Sequence, residues 1–533
     1  MIKVSVICKT SADRYATLFK AISDLLNIKF HFFSEYPQNE DCPLILLDSS
    51  EEMLIAARES RNPFIAYLSR HGSPPKNTSD VVNFSSSKLL PPLLHGQSMV
   101  TKEARYLNGI TISEPLDVLA QVQGLPIWVA SSCHKNQYYT SVSLPDFNEQ
   151  NQLSEFFNGE IFLNILPIYC FLRFCIGRHP WQLPPIRACI IVDDPNLHWT
   201  SYGPINYRNL SMYCKKQDIH ISFATIPLDG WYVHPKAAKI FIENDEHLSL
   251  LVHGNNHEKG ELAKPRQKNE ALNYFAQALR RINSMEKKSG LSVNCVMIPP
   301  HGLISKSSAS VLSHLGFEAI CTNRWSLWKH IKPRDLTSTF GLEPAGFLEN
   351  SMPVLNRFRM VSPICQNEII IAALLGIPII PYCHVDDFAN SFSEIEKTVS
   401  FINELGQVCW LSISEILRSN YSWSQVDNIF QVRAYSNKIK IMIPDNTPWL
   451  HIEFSTMRDD LEQSNTLFIF PPASNGQKEF NCDDKIPVEP NRQYEISIIN
   501  HHEFNIDMLP KPALAYQTIL RRIGTELRDR FYK

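Results

Sequence analysis

Cys189-Ile-Ile-Val-Asp193-Asp194-Pro195-Asn196 is a short apolar run closed by two carboxylates, and a second run, Leu248 to Val252, ends in His253-Gly-Asn-Asn-His257. A continuous apolar stretch bounded by turn residues is how a parallel strand covered on both faces reads. Ionisable residues directly after such a strand lie at its C-terminal end, where parallel α/β folds gather their chemistry. One carboxylate and two imidazoles make a compact ligand set for a divalent ion with a coordination position left open. A second carboxylate beside them can then act on a metal-activated water. Taken singly, Asp193-Asp194 also reads as a turn or helix cap, and His253 and His257 as exposed residues on a short helix. Taken together, they point to a site.

Working outward, the alternation stays regular. Strands are expected at Ala188–Val192, Ile219–Thr225, Leu248–His253, Asn294–Ile298, Ala319–Thr322, Arg357–Val361, Pro378–His384 and Val408–Ser412. Helical stretches lie between several of them, clearest at Glu261–Lys288, Lys306–Leu315 and Ser393–Glu404. This rhythm predicts an α/β fold with a distorted (β/α) barrel over residues 185–424. The unusual residues fall repeatedly at strand C-termini: Asp193-Asp194, His253, Pro300-His301-Gly302, Asn323-Arg324-Trp325 and His384.

Residues 1–150 alternate strand-like runs (Lys3–Cys8, Lys29–Phe33, Leu44–Asp48, Pro63–Leu68) with helical ones (Ala12–Leu26, Glu51–Glu59). They predict a doubly wound α/β domain, Rossmann-like or flavodoxin-like. No glycine pattern for phosphate binding is present, so a recognition or assembly role fits better than a cofactor domain. Ser73–Ser98, rich in Pro and Ser, reads as loop, and 151–184 as a helical linker whose apolar part, Ile161–Ile176, is a buried helix. Residues 425–512 turn to short alternating strands (Ile429–Ala434, Lys438–Ile443, Trp449–Ser455, Thr466–Pro471, Gln493–Ile499), a small β-sandwich-like domain. Residues 513–533 read as a charged helix packing on a neighbour or another chain.

At 533 residues, with 44% hydrophobic and 20% charged residues, the composition is that of a globular chain of several domains. A net charge of -3 gives no basic footprint for nucleic acid. Thirteen cysteines without a CxxC, many inside apolar runs, suggest a reducing compartment. No stretch reads as a membrane span and the first residues read as a strand, so a cytoplasmic location is expected.

With Asp193-Asp194, His253-xxx-His257, Pro300-His301-Gly302 and His384 in this order, the middle of the chain resembles the polysaccharide deacetylases (carbohydrate esterase family four) over roughly residues 185–420. The resemblance implies removal of an acetyl group from an N- or O-acetylated sugar. It implies Asp193 as general base, Asp194, His253 and His257 as ligands of a divalent metal (zinc, with Co, Ni, Mn or Fe as options), a backbone N–H at His301 toward the oxyanion, and His384 as general acid. Asp386 or Asp387 could orient His384. Three departures mark a divergent branch: Ile298 stands where the family's base-orienting arginine is expected, His301 replaces an aromatic residue, and Pro195-Asn196 follows the aspartates. Arg324 or Arg359 could supply the missing guanidinium. Asn196, Trp199, Tyr202, Trp231 and Arg324 are candidates for substrate contact, and Asn256 and Glu258 for hydrogen bonds around the ligands. A carbohydrate substrate and a homo-oligomeric or complex partner through the flanking domains are expected. Two other readings remain open: another metal-assisted hydrolase, cleaving a different amide or a glycosidic bond, and a carbohydrate-binding scaffold that kept the barrel.

Overall fold

The computed structural model describes residues 2–9, 12–37, 41–47, 50–68, 80–112, 114–133, 136–177, 181–349, 352–388, 392–454, 466–470, 478–481, 484–498, 505–512 and 516–531. Expected positions at Asp48, 73–79, 178–180, Ser455, Pro471, Ile499, 513–515 and 532–533 lie outside the described residues. The chain divides into two compact units: Met1–His179 with Pro333–Leu342 and Gln366–Leu374, and Pro180–Lys332 with Glu343–Cys365 and Leu375–Lys533.

The first unit holds a nine-stranded sheet in the spatial order Ile28–Phe33, Ile2–Cys8, Leu44–Leu47, Phe64–Tyr67, Gln137–Thr140, Leu125–Ser131, Leu116–Val122, Val81–Phe84, Ser98–Val100. The first five strands are parallel, as the alternation with helices predicts. From Gln137–Thr140 onward every pairing is antiparallel, so the doubly wound reading describes only half of the sheet. The Pro- and Ser-rich stretch read as loop contains a strand. Val81-Val82-Asn83-Phe84 alternates half-buried with buried residues, a period-2 signal that the surrounding composition concealed.

In the second unit, β1 (Ile190–Asp193), β2 (Ile221–Thr225), β3 (Leu248–Val252), β4 (Val293–Met297), β5 (Ala319–Thr322), β6 (Met352–Asn356), β7 (Phe358–Arg359) and β8 (Pro381–His384) form one parallel ladder, with Gly346–Leu348 antiparallel at one edge. In space they run β6-β5-β4-β3-β2-β1-β8-β7. The two ends are linked by a single residue: the Arg357 N–H bonds Thr322 O on one side and the Phe358 N–H bonds Ile380 O on the other. The expected strand Arg357–Val361 is therefore found only as the short β7, with Arg357 as the bend between it and β6, which sequence reading missed. Cys189, Ile191, Leu251, Val296, Cys321, Leu355 and Ile380 fill the concave face of this curled sheet, fully buried.

The long helix expected from Glu261 begins only at Lys268; α1 runs Lys268–Ser289. Pro265 and the turns around Glu261 leave that residue free for the role described below. Beyond the sheet, two four-stranded layers share one core in which Val432 and Ile452 from one layer meet Ile441 and Ile496 from the other. A final helix, α2 (Tyr516–Phe531), follows.

Candidate metal centre

Side chains alternate along a strand, so a residue two places beyond an inward-facing one also faces inward. Ile191, Leu251 and Leu355 belong to the buried concave cluster and Tyr382 packs against it. Asp193, His253, Arg357 and His384 each stand two residues later. The register reinforces this, because Asp193 and His384 are direct partners on the adjacent strands β1 and β8. One rule of chain geometry thus delivers four functional groups to one end of the sheet.

Asp194 would face the opposite way if the strand continued. Its φ of 68° ends the extended run. His257 (φ 56°) and His301 (φ 59°) are likewise left-handed. Non-glycine residues in this region carry a conformational cost, and their concentration here marks a site for which the surrounding fold compensates.

His253 Nδ1 lies 2.9 Å from Ile298 O, which makes Nδ1 the protonated nitrogen of the neutral ring and turns the Nε2 lone pair inward. Nε2 of His253 lies 3.1 Å, and Nε2 of His257 2.8 Å, from the same oxygen, Asp194 Oδ1. That oxygen is buried and has no hydrogen bond of good geometry. All three ligand atoms fall within 4.8 Å of one another. Lone pairs converging at this range repel unless a cation or protons lie between them. The electrostatics agree. Burial disfavours charge on Asp194, yet the two imidazoles outweigh it and hold its pKa well below the carboxylate range. Burial likewise opposes a charged His253, but Asp194 and Asp193 prevail and raise its pKa. Ligands about 2.1 Å from a tetrahedral ion stand roughly 3.4 Å apart, so the trio needs to open by only a few tenths of an ångström. The donor set fits a divalent transition metal with one position left open.

Asp193 is 2% exposed, and its Oδ1 accepts a 2.7 Å hydrogen bond from Arg357 Nη1. Arg357 is itself 3% exposed and lies over Tyr382, its Cζ 4.2 Å from the ring centroid. Burial opposes its charge, and Asp193 more than restores it, raising the guanidinium pKa. Arg357, rather than the candidates Arg324 and Arg359, is the arginine in contact with Asp193. Arg359 pairs with Asp387 at 3.4 Å. Arg324 is buried at the start of the short helix Arg324–Leu327, with its backbone N–H on Asn356 Oδ1, so it is not placed for surface contact with substrate. Arg357 could have been found from the sequence by extending the alternation from Val354-Leu355 rather than starting a strand at residue 357.

His384 Nε2 stands 4.0 Å from Asp193 Oδ2, and the side chain is 44% exposed, open to a reactant. Asp387 accepts from the backbone N–H of His384 at 2.9 Å; it fixes the turn rather than the ring. The side chain of Asp386 lies outside the described residues. The His301 ring is 5.6 Å from that of His257, and partial burial followed by repulsion from His257 lowers its pKa.

The loop that carries His257 is built by a residue the sequence did not single out. Glu261, fully buried, accepts backbone N–H bonds from Asn255 (2.8 Å), Asn256 (3.0 Å) and Glu258 (3.3 Å), and one from the Tyr274 hydroxyl (2.7 Å). Gly254 (φ +66°) admits this carboxylate, since a Cβ there would stand 1.7 Å from Glu261 Oε1 and 2.7 Å from Pro300 Cγ. Arg281 from α1 bonds Asn255 O, Asn255 Oδ1 and Asn256 Oδ1. Asn256 and Glu258 are held within this loop, Asn256 by Arg281 and Glu261 and Glu258 by Glu261 and Lys264. From α2, Arg521 donates to His257 O (2.8 Å), Thr518 to Glu258 (3.0 Å), and Arg522 pairs with Asp229.

Asn196 is buried, and takes the Tyr207 hydroxyl on its carbonyl (2.6 Å) and the His198 N–H on Oδ1; it shapes the turn and is not open to substrate. Tyr202 is buried as well. Trp199 is half exposed and stacked with His234, while Trp231 is 67% exposed beside His198.

No protein-family model matches the chain, and no curated protein matches it. Among solved structures it is similar to a T48 deacetylase with substrate (15% identity, 44% of this chain and 91% of that one, TM-score 0.26). It is also similar to the polysaccharide deacetylase Bc1974 from Bacillus cereus (14% identity, 43% and 91%, TM-score 0.26) and to a family 4 carbohydrate esterase from Streptomyces lividans in complex with acetate (11% identity, 42% and 91%, TM-score 0.25). The similarity is to the family that the motif order resembles. At these identities and TM-scores nothing about the site is carried over from them.

Proposed function

We propose that the chain is a metal-dependent hydrolase that removes an acetyl group from an N- or O-acetylated sugar. The observation that carries this reading is the convergence of Asp194, His253 and His257 beside a second carboxylate, Asp193, held by Arg357 and flanked by His384. Asp194, His253 and His257 would hold the ion (zinc, or Co, Ni, Mn or Fe), which when bound acidifies a water and polarises the acetyl carbonyl.

The chain's own residues then divide the work. Asp193 has one oxygen committed to Arg357 and the other turned toward the site, so it accepts the proton of the attacking water at Oδ2. Arg357 orients that carboxylate through its hydrogen bond to Oδ1. The backbone N–H of His301 is the donor assigned to the oxyanion. His384, half exposed on the other side of Asp193, gives its proton to the departing amine or alcohol, and acetate remains. Asp387 is occupied by Arg359 and the His384 N–H, which disfavours the two-carboxylate geometry of glycoside cleavage. The barrel supports this site, the flanking segments control access or assembly, and the reaction takes place in the cytoplasm.

Acetate release from a panel of acetylated amino sugars and glycosides tests the reading. The wild-type protein releases acetate, and Asp193→Asn abolishes release while the metal stays bound. A wild-type protein that binds metal and carbohydrate without turnover would instead establish a binding scaffold.

A further inference from the structure

A cavity of about 550 Å³ lies between α1 and α2, lined by Arg280, Arg281 and Lys288 from α1, by Lys511 and Arg522 from the C-terminal segment, and by Trp231. Asp229 is the one carboxylate in its lining among the described residues. In a chain of net charge -3, five cations facing one anion among the described residues is a local reversal of sign.

Most of that charge is not neutralised. Arg522 pairs with Asp229. Arg280 instead donates to the carbonyls of Ile506 and Leu509 and to Gln277 Oε1, and Arg281 to the uncharged acceptors of Asn255 and Asn256. Burial pulls the Arg281 pKa down, and the nearby Tyr274, Glu261 and Asp229 oppose this only in part. Lys288 and Lys511 are exposed and enter no ion pair among the described residues. Trp231, 67% exposed, offers a flat apolar face beside the aliphatic walls of Leu228 and Ile523. Carboxylate or phosphate takes the charge-assisted hydrogen bonds of such cations, and the weakly polar face of a sugar ring stacks on an exposed indole.

We infer that this cavity is a binding site for an anionic sugar, a sugar ring bearing a phosphate or carboxylate group. The ring lies on Trp231 and the anion between Lys288, Lys511 and the Arg281 guanidinium. The inference deepens the proposed function but stands on separate residues. Arg281 joins the two places, because its guanidinium bonds the loop between His253 and His257.

The test is isothermal titration of the full-length protein with N-acetylglucosamine 6-phosphate, N-acetylglucosamine and inorganic phosphate, with Trp231 emission followed in parallel. The phosphorylated sugar binds at least tenfold more tightly than the neutral sugar, quenches Trp231 and weakens as salt rises. Lys288→Ala/Lys511→Ala loses at least tenfold of this affinity, and Trp231→Ala removes the advantage of the phosphosugar over inorganic phosphate. Equal binding of neutral and phosphorylated sugar, or an affinity unchanged by both variants, overturns the site. His257→Ala separates the two proposals: it abolishes acetate release yet leaves phosphosugar binding intact. Intact binding with no acetate release from any substrate in the wild type retains this site and removes the deacetylase reading.

Discussion

Replacing Arg357 with methionine keeps the aliphatic bulk over Tyr382 but leaves the Asp193 carboxylate buried without its counter-charge. Both partners are about 3% exposed and 2.7 Å apart, so solvent screens them little. Two unit charges with centres about 4 Å apart interact by roughly 4 kcal/mol at an effective dielectric constant of 20. Measured losses on deleting one member of a buried pair are about 3–5 kcal/mol, because the remaining charge keeps its desolvation cost. The stacking on Tyr382 adds about 1 kcal/mol. A loss of about 4 kcal/mol lowers the unfolding midpoint of a unit of this size, about 335 residues, by roughly 6 °C. The assay is thermal and urea unfolding of wild type, Arg357→Met, Asp193→Asn and the double variant. The double variant should recover much of the loss, since no uncompensated charge remains. A loss below about 1 kcal/mol for Arg357→Met, or strict additivity in the double variant, would refute the claim that Arg357 is the counter-charge that Asp193 needs in its buried place.

Further outcomes follow from the same geometry. Gly254→Ala places a Cβ against Glu261 Oε1 in a left-handed backbone, so it should release the 255–258 loop and weaken metal affinity at least tenfold by chelator competition; unchanged affinity would mean the loop is not held as described. His384→Asn should lower kcat by about 10²–10⁴ with metal content unchanged, and an equal loss of metal would move His384 out of the acid role. In metal-free protein the raised pKa of His253 gives the charged His253–Asp194 pair a stabilising contribution that is full below about 6.5 and is lost as pH rises through the raised value. The melting point of chelated protein should therefore fall relative to metal-loaded protein above that pH. A constant gap across the range would show that the pair carries no proton-linked stability.

The three residues that converge at the candidate metal centre were legible because they follow apolar runs and because parallel strands carry such residues to one side. Asp194, His253 and His257 needed only that rule and a left-handed turn at Asp194. Arg357 was not legible in the same way. It sits in a one-residue bend between β6 and β7, and reading residues 357–361 as one strand removed the Leu355 anchor that sets its direction. Asn196 and Arg324 look polar and available in the sequence, yet each is buried, Asn196 in a turn closed by His198 and Tyr207 and Arg324 against Asn356 of a neighbouring strand. Glu261 was hidden inside a predicted helix whose true start lies beyond Pro265. The antiparallel half of the first sheet was hidden for a different reason. Hairpin strands such as Leu116–Val122 and Leu125–Ser131 lack the helices that make parallel strands easy to count.

Metal content of the purified full-length protein, measured by elemental analysis for wild type and His257→Ala side by side after reconstitution and dialysis, tests the central claim most directly. The geometry predicts about one divalent ion per chain in the wild type and its loss in the variant. No retained ion in the wild type, or an equal amount in the variant, would contradict a metal centre at Asp194, His253 and His257 and with it the proposed hydrolysis.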